Sequence, residues 1–383
     1  MKKIVCITGS RAEYGVMKYL LKMLDKDPSF ELSLIVTGMH LMKKFGKTID
    51  IIKKDGFKIK AEINMKLDDN TNEGMSKSLG YAIIGITDAL KRIKPDLVIM
   101  AGDRGEILAA AIAASHLNIP VAHISGGDTT TGATIDERIR HAITKFADIH
   151  FPANENSAKV IIGLGENPKF VFTVGNPGIP VKYELNKKKR IKIAGKYGLN
   201  QTKPIILVLQ HPCTTQVSSS DSQMRETMEA VKELKQQTII IYPNTDAGSK
   251  AMIKVIHEFA YLNFIQIHKN VERDDFQDLM ALSDVMIGNS SCALLEGPSF
   301  NLPAVDIGKR QEGREHADNI IHVNHNKEEI IKAVRIALSE EFQNKVKKSV
   351  SPYAKESPEY NITKILKEIN WQQARKNKFK KND

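Results

Sequence analysis

Short apolar runs recur along this chain with longer amphipathic stretches between them, and that alternation constrains the fold more than any other feature. The first set is "KIVCIT" (3–8), "ELSLIVT" (31–37), "DLVIMAGD" (96–103), "IPVAHIS" (119–125) and "KFVFTVG" (169–175). A strand, helix, strand rhythm predicts a parallel sheet with helices on both faces, because parallel strands need long crossovers. After a lysine-rich stretch near residue 190 the rhythm restarts with "PIILVLQH" (204–211), "TIIIYPN" (238–244), "FIQIHKN" (264–270), "SDVMIGN" (283–289) and "LPAVDIG" (302–308). The predicted fold class is therefore α/β, as two doubly wound Rossmann-like domains. The length of 383 residues also suits two cores better than one. Pro177, Gly178 and Pro180 precede the charge run, which puts the boundary at 178–195 and gives domains 1–180 and 181–360.

Composition narrows the function classes. Apolar content of 42% with 26% charged residues marks a globular protein, and no run of apolar residues is long enough to span a bilayer. "MKKIVCITGS" turns polar too soon for a secretory signal, so a cytoplasmic protein without a membrane partner is expected. Cys6, Cys213 and Cys292 are scattered, which supports neither a disulfide framework nor a structural metal site. The formal charge of +11 suggests a polyanionic partner. Much of it, however, sits in "NKKKRIKIAGK" (186–196) and the tail from Arg375, without the aromatics of a nucleic-acid platform. A solvated linker and a frayed terminus account for both runs, so no nucleic-acid partner is expected.

Open α/β sheets bind ligands beyond the carboxyl ends of their strands. That rule selects "TGSRAEYG", "AGDRGE", "SGGDTTTGAT", "QHPCTT" and "GNSSCALLEGP", two sets of loops that predict an interdomain cleft. In the last of these, Gly288 frees the backbone, Ser290 and Ser291 supply hydroxyls, and a helix is expected from Ala293. Small residues at a helix start suit a phosphate, and Glu296 can accept hydrogen bonds from a ribose. "TGSRAEYG" fits neither the dinucleotide nor the ATP fingerprint. Arg11 at a strand end still suits a diphosphate through paired N–H bonds, unless it forms a surface pair with Glu13. Asp103 ends an apolar strand and either caps the helix that follows or works on a ligand. His211 is held extended by Pro212 and projects from a strand end.

The stretch "TIDE" (134–137) reads as a capping box, with Thr134 as N-cap and Glu137 reaching back to it. Ile135, Ile139, Ala142 and Phe146 form the expected buried stripe, while Asp136 and Arg140 share a flank. The helix dipole stabilises an ionised Asp136 by roughly 0.3 to 1 kcal/mol, which suits a base. Asp128, in a glycine-flanked loop without an evident cationic neighbour, is the candidate for a protonated acid.

With these residues laid out, the chain resembles the UDP-N-acetylglucosamine 2-epimerase family, specifically its hydrolysing branch. The resemblance covers nearly the whole chain through "TGSRAEYG", "GDRGE", "HISGGD", "IDERIRHAITK", "QHP", "YPNTDAG", "GNSSCALLEGPSF" and "GKRQEGREHADN", in the family's order. It implies a fold similar to the GT-B glycosyltransferases, with a final helix (361–383) returning to the first domain, and a homodimer. The implied reaction is anti elimination of UDP to a 2-acetamidoglucal followed by addition of water, with no metal or other cofactor. By resemblance Asp103, Asp128 and Asp136 are the catalytic carboxylates and His211 the histidine of the second domain. Arg11, Glu13, Ser290, Ser291 and Glu296 would hold the UDP-sugar, with Arg140, Arg310 and Arg314 as further contacts. The pattern departs at Asp128, where relatives carry Glu, and at Cys292-Ala293, where many carry Ser-Gly.

The leading expectation is a hydrolysing epimerase that makes N-acetylmannosamine, or a 6-deoxy diacetamido relative, for sialic-acid-like sugars. A glycosyltransferase of the same fold predicts an acceptor pocket, for which the acid-rich "HISGGD" and "IDERIR" segments are superfluous. A non-catalytic nucleotide-sugar sensor predicts UDP binding without hydrogen exchange at C2, and fold alone does not separate these.

Overall fold

The computed structural model describes residues 1–67, 69, 71–132 and 135–379. Contacts divide the chain into two compact units: Met1–Thr129, Ile135–Ile179 and Lys355–Asp383 form unit 1, and Thr130–Thr134 with Pro180–Ala354 form unit 2.

Unit 1 holds strands β1 (Lys2–Thr8), β2 (Phe30–Thr37), β3 (Ile59–Ile63), β4 (Leu97–Ala101), β5 (Val121–Ile124) and β6 (Ile149–Phe151). They form a parallel sheet in the order β3-β2-β1-β4-β5-β6. In β1, Ile4 and Cys6 join one apolar cluster while Val5 and Ile7 join another, so both faces of the sheet are covered. Unit 2 repeats the plan with β7 (Ile205–Leu209), β8 (Gln237–Ile241), β9 (Ile265–His268), β10 (Val285–Gly288), β11 (Ala304–Ile307) and β12 (Ile320–Val323), ordered β12-β11-β10-β7-β8-β9. There Ile206 and Val208 face one cluster and Ile205, Leu207 and Leu209 the other.

The chain from Lys355 onward completes unit 1 rather than unit 2. Ile362 and Leu366 of the helix Pro358–Glu368 share a cluster with Leu20 and Leu24 of the helix Arg11–Lys26. Trp371 stacks on Phe30 at 6.3 Å between ring centroids.

Three sequence expectations are corrected here. "KFVFTVG" is not a strand: Asn167 accepts the Lys169 amide to open a 3-10 turn at Pro168–Phe170, and only Val171 bridges to His150. The lysine-rich stretch is not a bare linker, because Asn186 caps the helix Lys187–Lys196 and its Ile193 and Ala194 are buried. Nor is the tail frayed up to Phe379, since Lys378 pairs with the fully buried Glu166 and its carbonyl accepts the Asn167 amide. Among the described residues no helix is long and apolar enough to cross a membrane.

Candidate functional site

In unit 1 the loops after β1, β4 and β5 carry the candidate residues. After β4, Asp103 precedes the N-cap rather than filling it: the helix Gly105–His116 has Arg104 as its N-cap, without a side-chain cap. Its carboxylate instead meets Arg140 of the helix Ile135–Phe146. Arg140 Nε donates to Asp103 Oδ2 at 3.1 Å, and Nη2 donates to the same oxygen. Nη1 donates to the Asp128 carbonyl at 2.8 Å and to Glu137 Oε2 at 2.5 Å. Only 3% of the Arg140 side chain is exposed. Burial pulls its pKa down, but the charges of Asp103, Asp128 and Glu137 outweigh that and leave it raised.

This arrangement revises the expected helix. Ile135 is exposed, and the buried face runs through Ile139, Arg140, Ile143 and Thr144. The arginine is on the inward face because three acceptors satisfy its guanidinium there. Thr134 lies outside the described residues. Glu137 gives one carboxylate oxygen to Arg140 and faces His141 Nε2 with the other at 2.9 Å. Asp128 does have a cationic neighbour, contrary to expectation, and Asp136 is half-buried in the first turn.

The loop after β1 is braced from beneath. Ser10 Oγ accepts the Glu13 amide, while Glu13 Oε2 accepts the amides of Gly9 at 2.8 Å and Ser10 at 3.2 Å. That is a capping box at the start of the helix bearing Arg11. Glu13 is thus buried, not a surface partner for Arg11. Arg104 Nε lies 3.0 Å from Glu106 and 3.9 Å from Glu13. Burial, with the Glu106 charge adding to it, pushes the Glu13 carboxyl up to about 8. His123, wholly buried on β5, donates through Nε2 to the Gly102 carbonyl at 2.8 Å and supports the Asp103 loop. Burial lowers its pKa to about 4. Sequence reading passed over Glu106 and His123, although both sit inside quoted motifs.

In unit 2, Ser290 is the N-cap of the short helix Ser291–Leu295 without using its side chain, and its Oγ lies 3.1 Å from Cys292 Sγ. Burial, reinforced by Glu296, pushes that thiol up to about 12. The helix begins at Ser291, not at Ala293, and Glu296 closes it as C-cap. Glu296 is paired with Arg273 at 2.5 Å. His211 is half-buried, and its Nδ1 accepts the Asn244 amide at 3.1 Å. Asn289 accepts the His211 amide at 2.7 Å and donates to the His211 carbonyl at 2.8 Å. Its own carbonyl takes Arg310 Nη1 at 3.1 Å and Gln311 Nε2 at 3.0 Å. Arg314 follows, largely buried, with its amide on the Gln311 carbonyl at 3.1 Å. The structure therefore gathers His211 and Arg310 around Asn289, a hub that "GNSS" contained but sequence reading did not single out. Among the described residues no group of His, Cys, Asp and Glu side chains is arranged to hold a metal ion.

Comparison with known proteins bears on the family and the fold. The family model described as UDP-N-acetylglucosamine 2-epimerase matches residues 22–367. The UDP-N,N'-diacetylbacillosamine 2-epimerase (hydrolyzing) of Legionella pneumophila is 39% identical over 88% of this chain and 89% of its own. The UDP-N-acetylglucosamine 2-epimerase of Neisseria meningitidis serogroup B is 32% identical over 88% of each. A crystal structure of the Neisseria meningitidis UDP-GlcNAc 2-epimerase bound to UDP-GlcNAc superposes with a TM-score of 0.80, covering 96% of this chain and 100% of that one at 19% identity. With the family model spanning most of its length, the chain belongs to the UDP-N-acetylglucosamine 2-epimerase family, in its hydrolysing branch.

Proposed function

We propose that this chain acts on a UDP-activated 2-acetamido sugar, releasing UDP and the free sugar inverted at C2. A carboxylate takes the C2 proton while the C1–O bond to the diphosphate breaks and a C1=C2 double bond forms. Water then adds at C1, and an acid returns a proton to C2 from the opposite face. The carboxylates come from Asp103, Asp128 and Asp136, and general acid–base chemistry of this kind contributes roughly 10²- to 10⁴-fold each. Arg11, Arg310 and Arg314, with Ser290 and Ser291, meet the diphosphate, and Glu296 takes the ribose. Glu13 contributes by shaping the loop that carries Arg11.

The observation that carries this reading is the buried Arg140, around which Asp103, the Asp128 loop and Glu137 converge. A binder needs one or two counter-charges, whereas fixing several acids about a single guanidinium suits a site that moves protons. The product of the simplest substrate, UDP-N-acetylglucosamine, is N-acetylmannosamine. A second reading, the same reaction on a 6-deoxy-2,4-diacetamido sugar, is favoured by the name of the Legionella pneumophila relative.

The test is proton NMR in deuterated water with each nucleotide sugar in turn. UDP release with deuterium at C2 of the free sugar is expected for one of them. UDP release without deuterium contradicts the elimination, and no release from either contradicts the epimerase reading.

A further inference from the structure

Which ring nitrogen of a histidine bears the proton is set by the partner of the other nitrogen. At His211 that partner is a main-chain donor: the Asn244 N–H points at Nδ1, 3.1 Å away. An amide N–H cannot donate to a protonated nitrogen, so Nδ1 keeps its lone pair and the proton resides on Nε2. An imidazolium would set N–H against N–H at the same place.

The surroundings fix this geometry from several directions. Asn244 is itself held in a turn, with Nδ2 donating to Asp246 Oδ2 at 2.6 Å and Oδ1 accepting the Asp246 amide at 3.2 Å. Asn289 grips both main-chain groups of His211, and Gln311 and Arg310 grip Asn289 in turn. Gly288 is what lets Asn289 approach so closely. Its φ is +141°, and a Cβ there would lie 2.1 Å from the Leu209 carbonyl oxygen.

We infer that His211 works as a neutral imidazole that donates its Nε2–H to an oxygen of the departing diphosphate and keeps the proton, with Asn289 as its positioning residue. This rests on the nucleotide-sugar reading above. Acting as a base would need the Nε2 lone pair, which appears only if the ring changes tautomer and breaks with Asn244. The proton traffic then belongs to the carboxylates. His211 supplies a preorganised donor to developing negative charge.

The test labels the histidine rings of the full-length protein with ¹⁵N and records long-range ¹H–¹⁵N correlations between about pH 6 and 8. His211 is assigned by its loss in H211Q, and UDP affinity is measured by calorimetry on the same samples. The expected result is the Nε2–H tautomer throughout, a displaced Nε2 signal on adding UDP, and mixed tautomers in N289A. A Gln amide nitrogen reaches the Nε2 position and an Asn one does not, so H211Q should keep UDP affinity within about threefold while H211N loses about tenfold. An Nδ1–H tautomer or an imidazolium at neutral pH overturns the inference. UDP that binds without moving the Nε2 signal also overturns it, whereas UDP that fails to bind at all overturns the nucleotide reading as well.

Discussion

Arg140 turns two nitrogens of its guanidinium onto a single carboxylate oxygen of Asp103 while its third reaches Glu137 and the Asp128 carbonyl. The helix carrying Arg140 and the loop after β4 are thereby tied through one side chain. Breaking a buried ion pair by removing one partner costs about 3 to 5 kcal/mol, because the other charges stay behind unpaired. Arg140→Met should fall near the lower end, since 28% of the Asp103 side chain is exposed. Arg140→Lys should fall between, as an ammonium lacks the fork that meets three acceptors. Urea unfolding curves give the values, and a loss below about 0.5 kcal/mol for the Met variant would mean the cluster is solvated.

Asp103→Asn and Asp136→Asn remove charge while preserving shape. If both carboxylates move protons, each variant should lower the rate of UDP release by about 10²- to 10⁴-fold with UDP affinity changed less than about threefold. A rate near that of the unaltered chain takes the residue out of the chemistry.

Much of this was legible in the sequence where local pattern and burial agree. Ten apolar runs located nine strands, eight of them interior to their sheets and so covered on both faces. The strands not foreseen were edges: β3 alternates half-buried with exposed residues, β12 is half-buried except at His322, and β6 is three residues long. The run at 169–175 misled because apolar content alone does not separate a strand from a covered turn. The loops at the strand ends were also legible, but the pairings within them were not. Helical periodicity places Arg140 on a flank, because it says nothing about acceptors brought from 37 residues away. Glu13 looked exposed beside Arg11 until the fold set Glu106 and Arg104 against it.

That setting makes Glu13 a source of pH dependence. Its pKa is raised from the ordinary 4.5 to about 8, chiefly by burial. The stability it contributes is complete below the unfolded value and is lost as pH rises through about 8, because the unfolded chain ionises first. Glu13→Gln retains an oxygen for the Gly9 and Ser10 amides without taking on that charge. It should therefore be the more stable form at about pH 9, with the difference closing toward about pH 5. Thermal melts at the two pH values decide it, and a constant difference would show that Glu13 does not titrate in this range.

In the proposed function Ser290 meets the diphosphate. Its hydroxyl is not used to cap the helix it precedes and contacts Cys292, whose thiol stays protonated near neutral pH. Ser290→Ala should raise the dissociation constant for UDP by about threefold to tenfold, the worth of one hydrogen bond. Calorimetric titration reads this, and an unchanged constant removes Ser290 from the phosphate contacts.

The tail supplies the last case. Glu166 is wholly buried and receives Lys145 at 2.5 Å and Lys378 at 2.7 Å, with His150 at 3.4 Å. Burial alone would raise its pKa, yet hydrogen bonds from His150, Lys145 and Lys378 bring it down to about 2. A depressed carboxyl contributes stability above its unfolded value of 4.5, and that contribution is lost as pH falls toward about 2. Lys378→Met leaves Lys145 and His150 in place, so it should cost about 2 kcal/mol at neutral pH, less than the loss of a sole partner. With one donor gone the Glu166 pKa climbs back toward 4.5, and acid unfolding should begin at a higher pH than in the unaltered chain. Far-UV circular dichroism during acid titration measures that onset. Coincident curves would show that Lys378 is held by its main-chain contacts and adds nothing through its charge.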